Sequence, residues 1–216
     1  MDQILFVKEK IIQIGKEILH SGLTVGTWGN ISSRVPGEDL VAITPSGLDY
    51  TLLEPADIVL LDLEGTIVSG CRRPSIEVPL HLAIYQARKD VHSVVHTHSV
   101  YATAFAAARQ ALPPALEDLV QMVGGAVRVS DYALPGSKKL GANAVKALEG
   151  RQAVLLANHG LLGVGRNLEE ALKVCQVVEK AAQITIMARL LGGVVELSPG
   201  DIHRMRQFYL HHYGQK

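Results

Sequence analysis

The chain has 216 residues, 48% of them hydrophobic, enough to bury about 70% of its unfolded surface around one core, so a single domain over 1–216 is expected. Its 21 basic and 21 acidic residues cancel, which removes the electrostatic footprint of a protein that tracks a nucleic-acid backbone or an anionic membrane. Cys71 and Cys175 stand far apart without CxxC spacing, charges interrupt any apolar leader within the first ten residues, and no later run is long enough to span a bilayer; a soluble, cytoplasmic protein with two ordinary thiols is expected, with neither nucleic acid nor membrane as partner.

Ile4, Val7, Ile11, Ile14 and Ile18 recur at steps of three and four, the period of one helical face, and Gly22 offers the stop. Short apolar runs follow at 40–43 and 58–63, and Glu64-Gly65 with Thr66-Ile67-Val68 beyond it reads as a hairpin. The spacing predicts a helix over 77–88, a β-branched strand over 93–97 and an alanine-rich helix over 101–109. Gly124-Gly125 breaks the next segment ahead of a strand at 126–129. Ser137 is placed to cap a helix over 138–148, and 153–157 is the apolar strand after it. Asn167, with Glu170 three places on, starts a helix reaching about Leu191, and Ser198-Pro199 starts the last one. Mixed strands and helices without a repeat or linker fit helices on both faces of one sheet.

The sharpest local feature is His96-Thr97-His98 at the end of an apolar strand, because side chains two apart on a strand share a face. Both imidazoles can then reach one ion. A catalytic zinc takes three protein ligands and keeps an open position, and His159 in Asn158-His159-Gly160, directly after another apolar strand, supplies the third. Gly160 permits close backbone approach there. The other histidines are read as ordinary, His81 among them, on a helix where it can hydrogen-bond a neighbour.

Glu77 in Pro74-Ser75-Ile76-Glu77 stands where a helix should begin, a position that stabilises a carboxylate without any catalytic role. Its other reading is a carboxylate that faces the zinc in the empty enzyme and becomes a base when substrate arrives. Three polar loops, 26–32, Thr44-Pro45-Ser46-Gly47 and Ser75, can cradle a phosphate with backbone N–H groups and short hydroxyls. Taken singly, they are ordinary turns.

In this order, G-T-x-G-N-x-S, T-P-S-G, P-S-x-E, H-T-H-S and N-H-G resemble the class II aldolase/adducin family over nearly the whole chain. The resemblance implies a three-layer α/β/α domain around a predominantly antiparallel sheet, assembled as a homotetramer with active sites between adjacent subunits. It makes His96, His98 and His159 the ligands of one Zn2+ per subunit, and Glu77 the acid–base group that also approaches the metal in the substrate-free state. Gly29, Asn30, Ser46, Gly47 and Ser75 fall on positions that bind the phosphate of a small sugar phosphate. Near the end of the chain, Tyr213-Gly214 matches a Tyr-Gly whose tyrosine reaches a neighbour's active site.

Two positions depart from the pattern. Ile76 replaces a phosphate-loop serine, so it offers a backbone N–H and no hydroxyl. Asp118 stands where the fuculose-phosphate members carry a tyrosine that protonates the aldehyde oxygen, which leaves that role to Asp118, Glu117 or Tyr213. The implied activity is reversible cleavage of a ketose 1-phosphate to dihydroxyacetone phosphate and an aldehyde. Rival readings are a sibling chemistry on the same zinc site, such as pentulose-phosphate epimerisation, decarboxylation or dehydration, and an adducin-like binding module. The epimerases carry Asp in place of Glu77, and the intact histidines speak against the binding module.

Overall fold

The computed structural model describes residues 2–214. Helix α1 (Gln3–His20) starts behind Asp2, whose side chain accepts from the N–H of Ile4, and its Val7, Ile11, Ile14 and Ile18 stripe is buried as the periodicity predicts. Each such side chain contributes about 1.5–3 kcal/mol of burial. The strands are β1 (Asn30–Arg34), β2 (Leu40–Ile43), β3 (Val59–Asp62), β4 (Ile67–Ser69), β5 (Ser93–Thr97), β6 (Arg128–Ser130), β7 (Ala153–Leu156) and β8 (Gly160–Gly165). They form one sheet in the order β4-β3-β2-β1-β5-β8-β7-β6. Only β6 and β7 run parallel, so the sheet is predominantly antiparallel, as expected.

The remaining helices are α2 (Val78–Ala87), α3 (Val100–Ala107), α4 (Glu117–Val123), α5 (Lys138–Leu148), α6 (Leu168–Leu190) and α7 (Pro199–His212). One face of the sheet, through Ile31, Ala42, Val95, Leu155 and Leu161, packs on α1, α3, α4 and α6. The other face, through Val41, Val94, Val154, Leu156 and Leu162, packs on α2 and α5. Two apolar layers on opposite faces make the three-layer α/β/α arrangement. Ser137 caps α5 by accepting from the N–H of Leu140, and Asn167 caps α6 by accepting from that of Glu170, both at the expected positions. No described helix is long and apolar enough to cross a membrane.

Three elements depart from the sequence reading. Residues 30–32, the end of an expected polar loop, instead open β1 in the middle of the sheet; Asn30, Ser32 and Ser33 are buried there because other side chains satisfy them. Residues 160–165 form β8, which glycines at three of its six positions disguise. Those glycines are used for packing: a β-carbon on Gly163 would stand 2.6 Å from Cys175 Sγ on α6. Helix α4 has two acidic residues in its first turn and ends on Gly124 in the left-handed region, a local signal the sequence reading passed over.

Candidate active site

The β1–β5 register pairs Asn30 with His96 and Ser32 with Val94. Asn30, Ser32 and His96 therefore point to the sheet face that carries α2, whose start delivers Glu77 and whose second turn delivers His81. His98 lies one residue past the end of β5, and Trp28 stacks on its ring at 5.7 Å between centroids. His159 sits in the β7–β8 turn, where Asn158 takes the left-handed conformation at φ 55° and its side-chain oxygen accepts from Arg109 Nε. Two glycines let these segments meet. A β-carbon on Gly160 would stand 2.4 Å from the Thr97 carbonyl oxygen, and one on Gly29 2.6 Å from the His96 carbonyl oxygen.

The three imidazoles converge through one kind of atom. His96 Nε2 is 3.0 Å from His98 Nε2 and 3.3 Å from His159 Nε2. His96 Nδ1–H donates to the Leu161 carbonyl at 2.9 Å, which leaves the lone pair on Nε2 facing the other two rings. Burial pushes the His96 imidazole down to about 4, against the pull of Glu77, so it is neutral at physiological pH. Burial and then His159 also lower His98, against Glu77. Three ring nitrogens that turn their lone pairs to one point at this distance repel one another unless a proton or a metal cation stands between them. Zinc–nitrogen bonds of about 2.0–2.1 Å would set tetrahedral ligands about 3.3 Å apart, so this donor set fits a divalent metal.

Glu77 completes the cluster. Its Oε2 lies 3.3 Å from His96 Nε2 and its Oε1 3.6 Å from His159 Nε2. The side chain makes no capping bond to its own helix, so α2 does not consume it. Burial would raise this carboxyl, but His96 and His159, the Asn30 amide and His81 together outweigh it and hold it below its ordinary value. Oε1 is buried without a hydrogen-bond partner, a costly state for a carboxylate that no cation or substrate meets.

A cleft of about 280 Å³ opens on this cluster and brings Gly29, Asn30, Ser46, Gly47 and Ser75 to the same space as Glu77, His98 and His159. Among the described residues no lysine or arginine lines it, so an anion there would meet backbone N–H groups and hydroxyls. Thr27, Trp28, Pro45, Ile76 and Pro135 also line the cleft. Of these, Thr27, Trp28, Pro45 and Ile76 lie inside the sequence motifs, whereas Pro135 carries no sequence signal that ties it to the site.

Tyr213 and Asp118 are not brought to the histidines within one chain. Tyr213 follows α7, exposed and stacked on Tyr209, and Asp118 pairs with Lys180; both border a different cleft with Arg166 and Glu170. His81, read from sequence as ordinary, is fully buried and hydrogen-bonded to Asn30 and Ser32. Its spacing of four from Glu77, one helical face, is the signal that could have tied it to the site.

Residues 9–186 match the family model described as the Class II Aldolase and Adducin N-terminal domain. The chain is 39% identical over 209 residues to a 5-deoxy-D-ribulose 1-phosphate aldolase of Bacillus thuringiensis serovar kurstaki, covering 97% of each chain. It is 40% identical over 178 residues to a 5-methylthioribulose-1-phosphate/5-deoxyribulose-1-phosphate aldolase of Rhodospirillum rubrum, covering 82% of this chain and 79% of the relative. A solved L-fuculose 1-phosphate aldolase superposes with a TM-score of 0.92 at 40% identity, over 95% of this chain and 96% of that one. With the histidine cluster and its carboxylate in place, these likenesses assign the chain to the class II aldolase and adducin family, among its lyases.

Proposed function

We propose that the chain is a zinc-dependent aldolase that reversibly cleaves a ketose 1-phosphate to dihydroxyacetone phosphate and a short aldehyde, as a cytoplasmic homotetramer with active sites at subunit boundaries. The observation that carries this reading is Glu77, whose unpartnered Oε1 faces the three converging imidazoles at the floor of a cleft lined by neutral anion donors. His96, His98 and His159, with Glu77 until substrate arrives, would hold the zinc, which when bound supplies Lewis-acid polarisation of the substrate carbonyl.

Glu77 moves the proton. In the synthetic direction it takes one from the hydroxymethyl carbon of dihydroxyacetone phosphate, and in cleavage it returns it. Ser46 and Ser75 hydroxyls, with Gly29, Asn30 and Gly47, bind the phosphate, and Ile76 adds only a backbone N–H. The aldehyde oxygen takes its proton from Tyr213 of a neighbouring subunit or, in its place, from Asp118. Helix α7 supports the boundary site: none of its residues is buried, and Phe208 and Leu210 on it and Tyr213 just after it are exposed.

The relatives' substrates are ketose 1-phosphates that end in a methyl or methylthio group, which the exposed Trp28 beside His98 suits as an apolar wall. The test is a panel of L-fuculose, 5-deoxyribulose and 5-methylthioribulose 1-phosphates, with dihydroxyacetone phosphate release coupled to NADH oxidation. Release from at least one of them, abolished by chelator and restored by zinc, is expected. No release from any of them by zinc-loaded protein would overturn the proposal.

A further inference from the structure

Between the sheet and α2 runs a chain of buried hydrogen bonds that ends on Glu77. Tyr85 Oη lies 2.8 Å from Ser32 Oγ, and Ser32 Oγ lies 2.6 Å from His81 Nδ1. His81 Nε2 lies 2.5 Å from Asn30 Oδ1, and Asn30 Nδ2 donates to Glu77 Oε2 at 2.9 Å. The direction of every link follows from its end. A carboxylate only accepts, so Asn30 turns its NH2 to Glu77 and its carbonyl oxygen to His81. That oxygen also only accepts, so His81 carries its proton on Nε2 and takes the Ser32 hydroxyl at Nδ1. Ser32 then accepts from Tyr85.

Secondary structure sets the spacing of this arrangement. Asn30 and Ser32 are two apart on β1, Glu77 and His81 four apart at the start of α2, and each strand residue meets one helix residue. Burial keeps His81 neutral, pushed down to about 3, the state in which one ring nitrogen donates and the other accepts. An inverted Asn30 amide would set its carbonyl against the carboxylate and its N–H against that of His81, two repulsive contacts between buried side chains. One carboxylate oxygen of Glu77 is thereby committed, while the other is left without a partner.

We infer that His81 is a positioning residue for the acid–base step: as the Nε2–H tautomer it locks the Asn30 amide in the orientation that donates to Glu77 Oε2, which reserves Oε1 for the proton. This role rests on the aldolase reading only in naming the step that Glu77 performs. Asn30 keeps one N–H for the substrate, so its place among the phosphate residues is compatible with the lock.

Two measurements test the inference. Long-range 1H–15N spectra of the metal-free wild-type protein should show the His81 Nε2–H tautomer, and the Nδ1–H tautomer would overturn the lock whatever the reaction proves to be. In zinc-loaded enzyme, His81→Leu should lower kcat for proton exchange at dihydroxyacetone phosphate about 10- to 100-fold, the usual scale for partners that orient a metal-site group, while KM moves less than about threefold. His81→Gln places an amide N–H near the Nε2 position and should recover most of that loss. In an Asn30→Ala background, His81→Leu should add little. Equal losses in the Leu and Gln variants, or additive losses with Asn30→Ala, would mark His81 as mere packing. Should His81→Leu fail to fold, the tautomer and the pairing of His81→Gln with Asn30→Ala decide. Wild-type enzyme that neither exchanges nor cleaves would remove the aldolase reading instead, and the tautomer would still judge the lock.

Discussion

Replacing Gly160 by alanine perturbs the histidine cluster without touching any of its donor atoms. The new methyl would stand 2.4 Å from the Thr97 carbonyl oxygen and 3.2 Å from both His96 Cε1 and His98 Cδ2. Carbon–oxygen contacts settle at about 3.3–3.6 Å, so the β5 end and the β7–β8 turn must separate by about 1 Å. Thr97 cannot rotate its oxygen away, because it is paired with Leu161 in the β5–β8 ladder. Overpacking of this kind costs about 1–3 kcal/mol, which at about 2–4 °C per kcal/mol for a chain of this size lowers the Tm by roughly 2–12 °C. The same separation exceeds the tolerance of about 0.2 Å on metal–ligand distances, so zinc affinity should fall by about tenfold or more. Thermal melts of metal-free protein read the first effect, and zinc titration against a competing chelator the second. A Gly160→Ala protein with wild-type Tm and wild-type zinc affinity would refute the close approach on which the site geometry depends.

Metal analysis of His159→Ala should show zinc lost or bound far more weakly; stoichiometric zinc at unchanged affinity would remove His159 from the ligand set. Glu77→Gln should fold and yet exchange the proton of dihydroxyacetone phosphate about a hundredfold more slowly or worse, read by NMR, and exchange at the wild-type rate would exclude Glu77 as the base. Tyr213→Phe should impair carbon–carbon cleavage while largely sparing that exchange, and equal loss of both in a protein whose assembly state matches the wild type would end the proposed role of Tyr213. In metal-free protein, His96 is pushed down to about 4 and His81 to about 3, while in the unfolded chain both titrate near 6.5. The unfolded state therefore binds more protons below about pH 6.5, and stability should fall as pH drops from there toward 4. Between pH 6.5 and 5 the two groups together contribute a loss of about 3 kcal/mol, visible in urea midpoints; midpoints independent of pH over that interval would show that they are not buried neutral.

Sequence alone carried whatever depends on near neighbours. The α1 stripe, the Ser137 and Asn167 caps and the β5 and β7 strands are written in spacings of two to four residues, and the structure places them where those spacings say. The same is true of the His96–His98 pair and of Gly160 beside His159, because strand parity and the lack of a β-carbon act within a few residues of the chain. Five short motifs in order then pointed to the family, although no single one of them could.

Tertiary structure decided the rest, for a consistent physical reason. Strand β1 reads as a polar turn until His81, Tyr85 and Ser93, 49 to 60 residues away, supply hydrogen bonds that let its polar side chains be buried. Strand β8, with glycine at three of its six positions, carries no strand signal of its own, and α6 packs on it so closely that a larger residue at Gly163 would not fit. Glu77 looks like any acidic helix start, and only the approach of His96, His159 and Asn30 separates its two oxygens into one that is held and one that is free. His81 shows the limit most clearly: both of its partners lie on β1, about 50 residues back, so only the packing of α2 against the sheet turns a histidine read as ordinary into the group that orients Asn30.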